Sequence, residues 1–142
     1  YLGFVAGGLV APLLIERVER KFIVAGGALV AGLGFVLLAN ATAGTAVFGV
    51  LVVGFGNFVA VSSAYTYTAE IFPTGARTSA MALGDGVGHL GGAATPLLVL
   101  PLLAAVGPRE TYWALAATAL LSALVIAAGI RTRRQGLTEL AG

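Results

Sequence analysis

The sequence predicts an all-α membrane protein, a polytopic helix bundle, and three observations indicate this fold class. Hydrophobic residues make up 58% of the 142-residue chain, a further 21 residues are glycine, and only 10% are charged. Soluble domains carry about 25% charged residues, so this chain has too few to cover a soluble surface. The apolar residues form long uncharged runs that do not alternate at a period of two. This pattern argues against barrel strands and favours helices, which satisfy their own backbone groups in lipid.

Five apolar runs define the expected helices in order. A helix needs about 20 residues to cross roughly 30 Å of hydrocarbon. The first run reaches Glu16 after only 15 residues and the chain opens on Tyr1. We therefore expect this run to be part of a helix of a larger protein. The other four runs are long enough to span a bilayer. The expected helices are 1–15, 22–39, 45–69, 78–106 and 111–130, followed by a tail over 131–142.

The basic residues follow the order of the expected helices. Seven of the eight lie in the first connection, in the third connection or after the last helix, and only Arg109 lies in the other two connections. Basic residues accumulate on the cytoplasmic side of membrane proteins. We therefore expect a multi-pass protein of the cell membrane with its C-terminus and tail in the cytoplasm. The seven residues are Arg17, Arg20, Lys21, Arg77, Arg131, Arg133 and Arg134.

One stretch imitates a dinucleotide-binding motif. Gly86, Gly88 and Gly91 match G-x-G-x-x-G, which binds a pyrophosphate when it joins a strand to a helix. No strand is expected here, because a Pro/Gly turn and a run of small and apolar residues precede the glycines. We therefore expect neither an enzyme nor a cofactor. The chain has no cysteine, and the acids around its one histidine lack metal-ligand spacing, so we expect no metal site. The small net charge of +2 says nothing about nucleic acid, and we expect no nucleic-acid partner.

The glycines of the fourth run have a different interpretation. Gly84, Gly88 and Gly92 recur every four residues, and so do Gly3 and Gly7 in the first run. Residues at this spacing lie on one face of a helix, and small residues there let helix backbones approach closely in lipid. We therefore expect these faces to be helix-packing surfaces.

Two segments resemble the Major Facilitator Superfamily of membrane transporters. The sequence E-R-V-E-R-K at 16–21 is similar to its cytoplasmic D-R-x-G-R-R loop. Residues 67–98 resemble the region from the end of helix ten through helix eleven in the sugar-porter and metabolite–proton symporter branches, with E-x-F-P-T-x-x-R followed by G-R-x-G-G. The chain departs from these patterns at three positions, Glu16 for aspartate, Glu19 for glycine and His89 for arginine. The matching residues are Glu70, Phe72, Pro73, Thr74, Arg77, Gly88, Gly91, Gly92 and Pro96.

The resemblance implies a position and a mechanism for the chain. It would run from helix eight to helix twelve, the C-terminal half of a twelve-helix transporter whose N-terminal half is missing. Such a protein moves a small solute (a metabolite, sugar or organic acid) across the lipid bilayer by alternating access, here coupled to protons. The resemblance also implies a charge network that ties the cytoplasmic helix ends together when the cavity faces outward. Its members would be Glu16, Arg17, Arg20, Glu70 and Arg77. The alternative is that these charges only fix the topology.

Two ionisable residues lie inside an expected span. Asp85 and His89 are four residues apart, so they share a helix face. Counted from Arg77, they lie about 12 and 18 Å deep at 1.5 Å per residue. Charged groups at such depth usually face a cavity or a partner. The pair either lines a cavity for the solute or the proton, or is purely structural. Asn57, the one amide inside the third helix, is a further candidate for the cavity.

A second function remains open on the sequence. A short membrane subunit with a scaffolding or channel role would also use glycine-rich helix faces for assembly. The sequence upstream of Tyr1 separates the two hypotheses, because a transporter requires about seven further hydrophobic segments there.

Overall fold

The computed structural model describes residues 1–129, which form five helices joined by short turns. No strand occurs among these residues, and this confirms the all-α prediction. Four helices are long and apolar enough to cross a membrane, and the first is a shorter apolar helix. The expected tail over 131–142 and its basic residues lie outside the described part. The helices are α1 (Leu2–Ile15), α2 (Arg20–Ala39), α3 (Ala46–Ile71), α4 (Thr74–Val106) and α5 (Pro108–Ala127).

The turns at both ends of α4 are set by proline and glycine. Pro73 is the extended N-cap residue of α4, so this helix begins four residues before the expected start and includes Arg77. Gly107 alone separates α4 from α5 and has a φ of 86°, a conformation that glycine adopts without a Cβ penalty. Pro108 follows at the first helical position of α5, where a missing N–H costs no hydrogen bond.

Helix α2 lies at the centre of the packed part of the molecule. It packs against α3 on one side and α5 on the other, and α1 packs against α3. Glycine permits the close approach of α2 to α3, because a Cβ added to Gly27 would lie 2.7 Å from the carbonyl oxygen of Gly56. In α1, Gly3 and Gly7 are buried against the backbone of α3. Small residues thus perform the packing role that lipid-embedded helices require.

Helix α4 differs from the other four. It is 33 residues long and none of its residues is buried. Its contacts with α3 and α5 are few. Within residues 1–129, α4 is therefore attached along part of its length and leaves most of its surface uncovered.

Polar contacts show which helix ends lie together. At one end, Arg20 of α2 meets Glu70 at the end of α3. At the same end of α2, Lys21 reaches the end of α5. At the opposite end, Arg109 donates a hydrogen bond of 3.5 Å to Asn40. The first and third connections therefore share one side, as the alternation of basic residues requires, while the assignment of that side to the cytoplasm stays a prediction.

Candidate functional site

A groove of about 1200 Å³ runs between α3 and α4. Its walls are mainly alanine, glycine and larger apolar side chains, with a small number of hydroxyl and ionisable groups. Solute sites in proteins combine such an apolar lining with few polar groups that fix orientation. The residues that line it with polar side chains are Tyr65, Thr68, Ser79, Asp85 and His89.

Three of these side chains form one polar cluster. The hydroxyl of Tyr65 donates a hydrogen bond of 2.5 Å to Oδ1 of Asp85. Nδ1 of His89 lies 2.9 Å from the main-chain oxygen of Asp85 and 3.5 Å from its Oδ2. A carbonyl oxygen only accepts hydrogen bonds, so the proton of neutral His89 is on Nδ1 and Nε2 is left to the groove. The structure thus brings together the two residues that the sequence places on one helix face, and adds Tyr65 from α3.

The cluster lies at mid-depth in α4. Asp85 and His89 are eleven and fifteen residues after Thr74, which places them about 17 and 22 Å along the helix at 1.5 Å per residue. The His89 side chain is 80% exposed and that of Asp85 43%. A charged residue at the centre of a helix in lipid costs about 2.5–3.5 kcal/mol on insertion scales. This face of α4 therefore has to meet water or protein in the membrane.

Asn57 lies on α3 two turns from Tyr65, further from the turn between α3 and α4. It is exposed, and it is outside the set of residues that line the groove. Eight residues separate Asn57 from Tyr65, which is about 12 Å along the helix. A role for Asn57 in the same cavity as Asp85 stays a prediction.

Two members of the expected charge network lie together in the structure, Arg20 and Glu70. Nε of Arg20 lies 2.9 Å from Oε1 of Glu70, and the two side chains are 23% and 32% exposed. The contact is an ion pair by distance, although the Nε–H bond is not aligned for a hydrogen bond. The Nε atom of Arg77 is shielded and has no hydrogen-bond partner among the described residues. Glu16 and Arg17 are exposed in the turn before α2.

The glycines of α4 lie in the open. A Cβ added to Gly84, Gly88 or Gly92 would meet no atom within 4 Å. Within residues 1–129 the close backbone contacts occur at glycines of α1, α2 and α3 and not at this stripe. The packing role expected for these three glycines therefore stays a prediction, because none of the described helices covers them.

The sequence did not indicate the contacts of two residues, Tyr65 and Lys21. Tyr65 is one of four tyrosines, and no local spacing links it to Asp85, twenty residues away. In the sequence, Lys21 indicates only the topology. In the structure it is buried, and its Nζ donates to the carbonyl oxygens of Ala127 at 2.9 Å and Gly129 at 2.7 Å. It therefore caps the end of α5, where helix carbonyls lack partners.

No residues in the described range assemble a metal site. Groups of three or more potential ligands from histidine, cysteine, aspartate and glutamate are absent among residues 1–129. The chemistry of the groove is therefore that of one carboxylate, one imidazole and hydroxyl groups, which can exchange protons and hydrogen bonds with a small polar molecule.

Comparison with known proteins gives consistent matches. The family model of the Major Facilitator Superfamily matches residues 1–141. Two proteins of Schizosaccharomyces pombe, whose names provisionally assign them to inorganic phosphate transport, are each 30% identical over 116 residues. The match covers 78% of this chain and 20% of the length of each relative.

Proposed function

We propose that this chain, which belongs to the Major Facilitator Superfamily, forms the C-terminal part of a secondary transporter for a small solute. The chain is an integral multi-pass membrane segment, and it spans about a fifth of the length of the relatives it matches. The polar cluster of Tyr65, Asp85 and His89 at mid-depth in an open groove is the observation that carries the proposal. Secondary transporters bind their solutes near the bilayer midplane.

The groove supplies a route for proton coupling. Asp85 binds a proton on its carboxylate, and the exposed imidazole of His89 binds one on Nε2. A protonated Asp85 and a protonated His89 both present hydrogen-bond donors to the groove, whereas the charged carboxylate of Asp85 repels an anion. Binding of a proton therefore favours binding of an anionic solute at the same place. This linkage couples the movement of the two during alternating access.

Inorganic phosphate is the first solute to test. The names of the two yeast relatives support this choice. Its oxygens accept hydrogen bonds, and a protonated His89 offers its Nε2–H to the groove. A sugar or an organic acid is the competing class, since hydroxyl and carboxylate groups pair with the same side chains.

The ion pair at the helix ends supports a gating role on the side that we assign to the cytoplasm. Arg20 and Glu70 join α2 to α3 at 2.9 Å. Partly exposed pairs contribute about 0.2–1 kcal/mol each. A network of such pairs, with Glu16 and Arg17 in the turn before α2 and Arg77 in the first turn of α4, biases two conformations that differ by a few kcal/mol.

The test is solute uptake by the intact protein in proteoliposomes under an inward proton gradient. We expect accumulation of labelled phosphate by the wild type, and its loss in Asp85→Asn and His89→Gln. Glu110→Gln in the first turn of α5 is the control, because it removes a carboxylate away from the groove. Competition by unlabelled sugars and organic acids ranks the solute classes.

Three outcomes would refute all or part of the proposal. Full proton-coupled uptake in both Asp85→Asn and His89→Gln would leave the pair with a structural role alone. Uptake of a sugar with no effect of phosphate would retain the transporter but exclude the phosphate assignment. Absence of uptake for every solute class, in wild-type protein that is inserted and folded, would favour the subunit hypothesis.

A further inference from the structure

The hydrogen bond from Tyr65 to Asp85 joins two helices that otherwise touch little. Tyr65 belongs to α3 and Asp85 to α4, and their side-chain contact measures 2.5 Å. Helix α4 contains no buried residue and has few contacts with α3 or α5. This side-chain bond is therefore one of the few interactions that attach α4 to α3.

The same bond divides the two oxygens of the carboxylate. Oδ1 of Asp85 accepts the hydroxyl proton of Tyr65, while Oδ2 faces His89 at 3.5 Å. Nδ1 of His89 is already directed at the main-chain oxygen of Asp85, 2.9 Å away. Oδ2 is consequently the carboxylate oxygen that is left to bind a proton from the groove.

The strength of this bond depends on the charge of Asp85. A hydroxyl donating to a carboxylate forms a charge-assisted bond that is roughly twice as strong as a neutral one. Protonation at Oδ2 makes the bond neutral. Among the described residues, Tyr65 from α3 and His89 from α4 are the titratable groups that face Asp85. The ionisable groups of α5 (Arg109, Glu110 and Tyr112) lie among its first five residues, next to Gly107.

We infer that Tyr65 is a positioning residue that ties α4 to α3 while Asp85 is charged and releases it when Oδ2 takes a proton. This inference rests on the proposed function, because it assigns the structural response to the proton that Asp85 carries. Protonation of Asp85 would thereby change the position of α4 relative to α3 beside the groove.

The test measures the distance between α3 and α4 by pulsed electron paramagnetic resonance on the intact protein in proteoliposomes. Spin labels are placed on cysteines at Val50 and Leu98, exposed positions outside the groove lining. This chain contains no cysteine of its own. We expect the wild-type distance distribution to widen as the pH is lowered across the range in which uptake increases. Tyr65→Phe keeps the ring and should show the wide distribution at every pH.

The matched control is Thr68→Val, which removes a hydroxyl from the same groove wall. It should retain the wild-type pH response. Asp85→Asn should give the wide distribution at every pH, and combining it with Tyr65→Phe should add nothing, because coupled residues are not additive. A pH-dependent distance in Tyr65→Phe equal to that of the wild type would overturn the inference, even if Asp85→Asn abolishes uptake. Unchanged proton-coupled uptake in Asp85→Asn would instead refute the proton-carrying role that the proposed function gives to Asp85, on which this inference rests.

Discussion

The close approach of α2 to α3 at Gly27 makes a quantitative prediction about stability. A Cβ at this position would lie 2.6 Å from the amide nitrogen of Ala60 and 2.7 Å from the carbonyl oxygen of Gly56, whereas ordinary van der Waals contact begins at 3.4 Å. Gly27→Ala therefore requires the two helix backbones to part by roughly 0.8 Å, since neither obstacle is a side chain that can rotate away. Overpacking of this kind costs about 1–3 kcal/mol.

The neighbouring glycine provides the control for this prediction. A Cβ at Gly26 would meet no atom within 4 Å, and alanine is favoured over glycine inside a helix by about 0.5–1 kcal/mol. Gly26→Ala should therefore be neutral or stabilising, while Gly27→Ala should lower the free energy of unfolding. The measurement is reversible unfolding of the intact protein in mixed micelles. Equal stability of the two variants would refute the assignment of the α2–α3 contact to backbone proximity at Gly27.

Three further predictions concern the helix ends. Glu70→Gln should reduce the rate of uptake more than the amount inserted, measured by transport and by membrane yield, and exchange of Arg20 and Glu70 should restore part of the rate. Lys21→Met should lower the free energy of unfolding by about 2 kcal/mol, because hydrogen bonds to charged groups contribute roughly 1.5–3 kcal/mol; an unchanged unfolding curve would contradict this. Impermeant thiol reagents should label a cysteine at Gly44 from outside intact cells but spare one at Val18, and labelling of both would refute the topology.

The sequence was sufficient for the fold class and for the order of the helices. Uncharged runs of about 20 residues have few alternatives in a chain with 10% charged residues. It was also sufficient to place Asp85 and His89 on one face, because a separation of four residues within a helix determines that geometry. The side that faces the cytoplasm and the position of the chain within a longer transporter stay predictions.

Contacts between distant residues could not be predicted from the sequence. The partners of Lys21 lie more than a hundred residues away, and twenty residues separate Tyr65 from Asp85. The spacing of the glycines could not predict such contacts either, because it identifies a face of a helix but not what covers that face. The stripe containing Gly84 is open, while Gly27 of α2 and Gly56 of α3 each lie so close to the backbone of the other helix that an added Cβ would clash with it.

The cap that Lys21 places on α5 has a consequence for synthesis of the protein. Its nearer acceptor in the chain, the oxygen of Ala127, follows it by 106 residues. Ribosomes add about 5–20 residues per second, so α2 enters the membrane roughly 5–20 s before its ammonium group can meet the end of α5. During that interval water and lipid headgroups have to solvate Lys21 at the membrane surface. Burial of Lys21 is consequently a late event, and it marks the moment at which the last described helix closes on the first helix that could span the membrane.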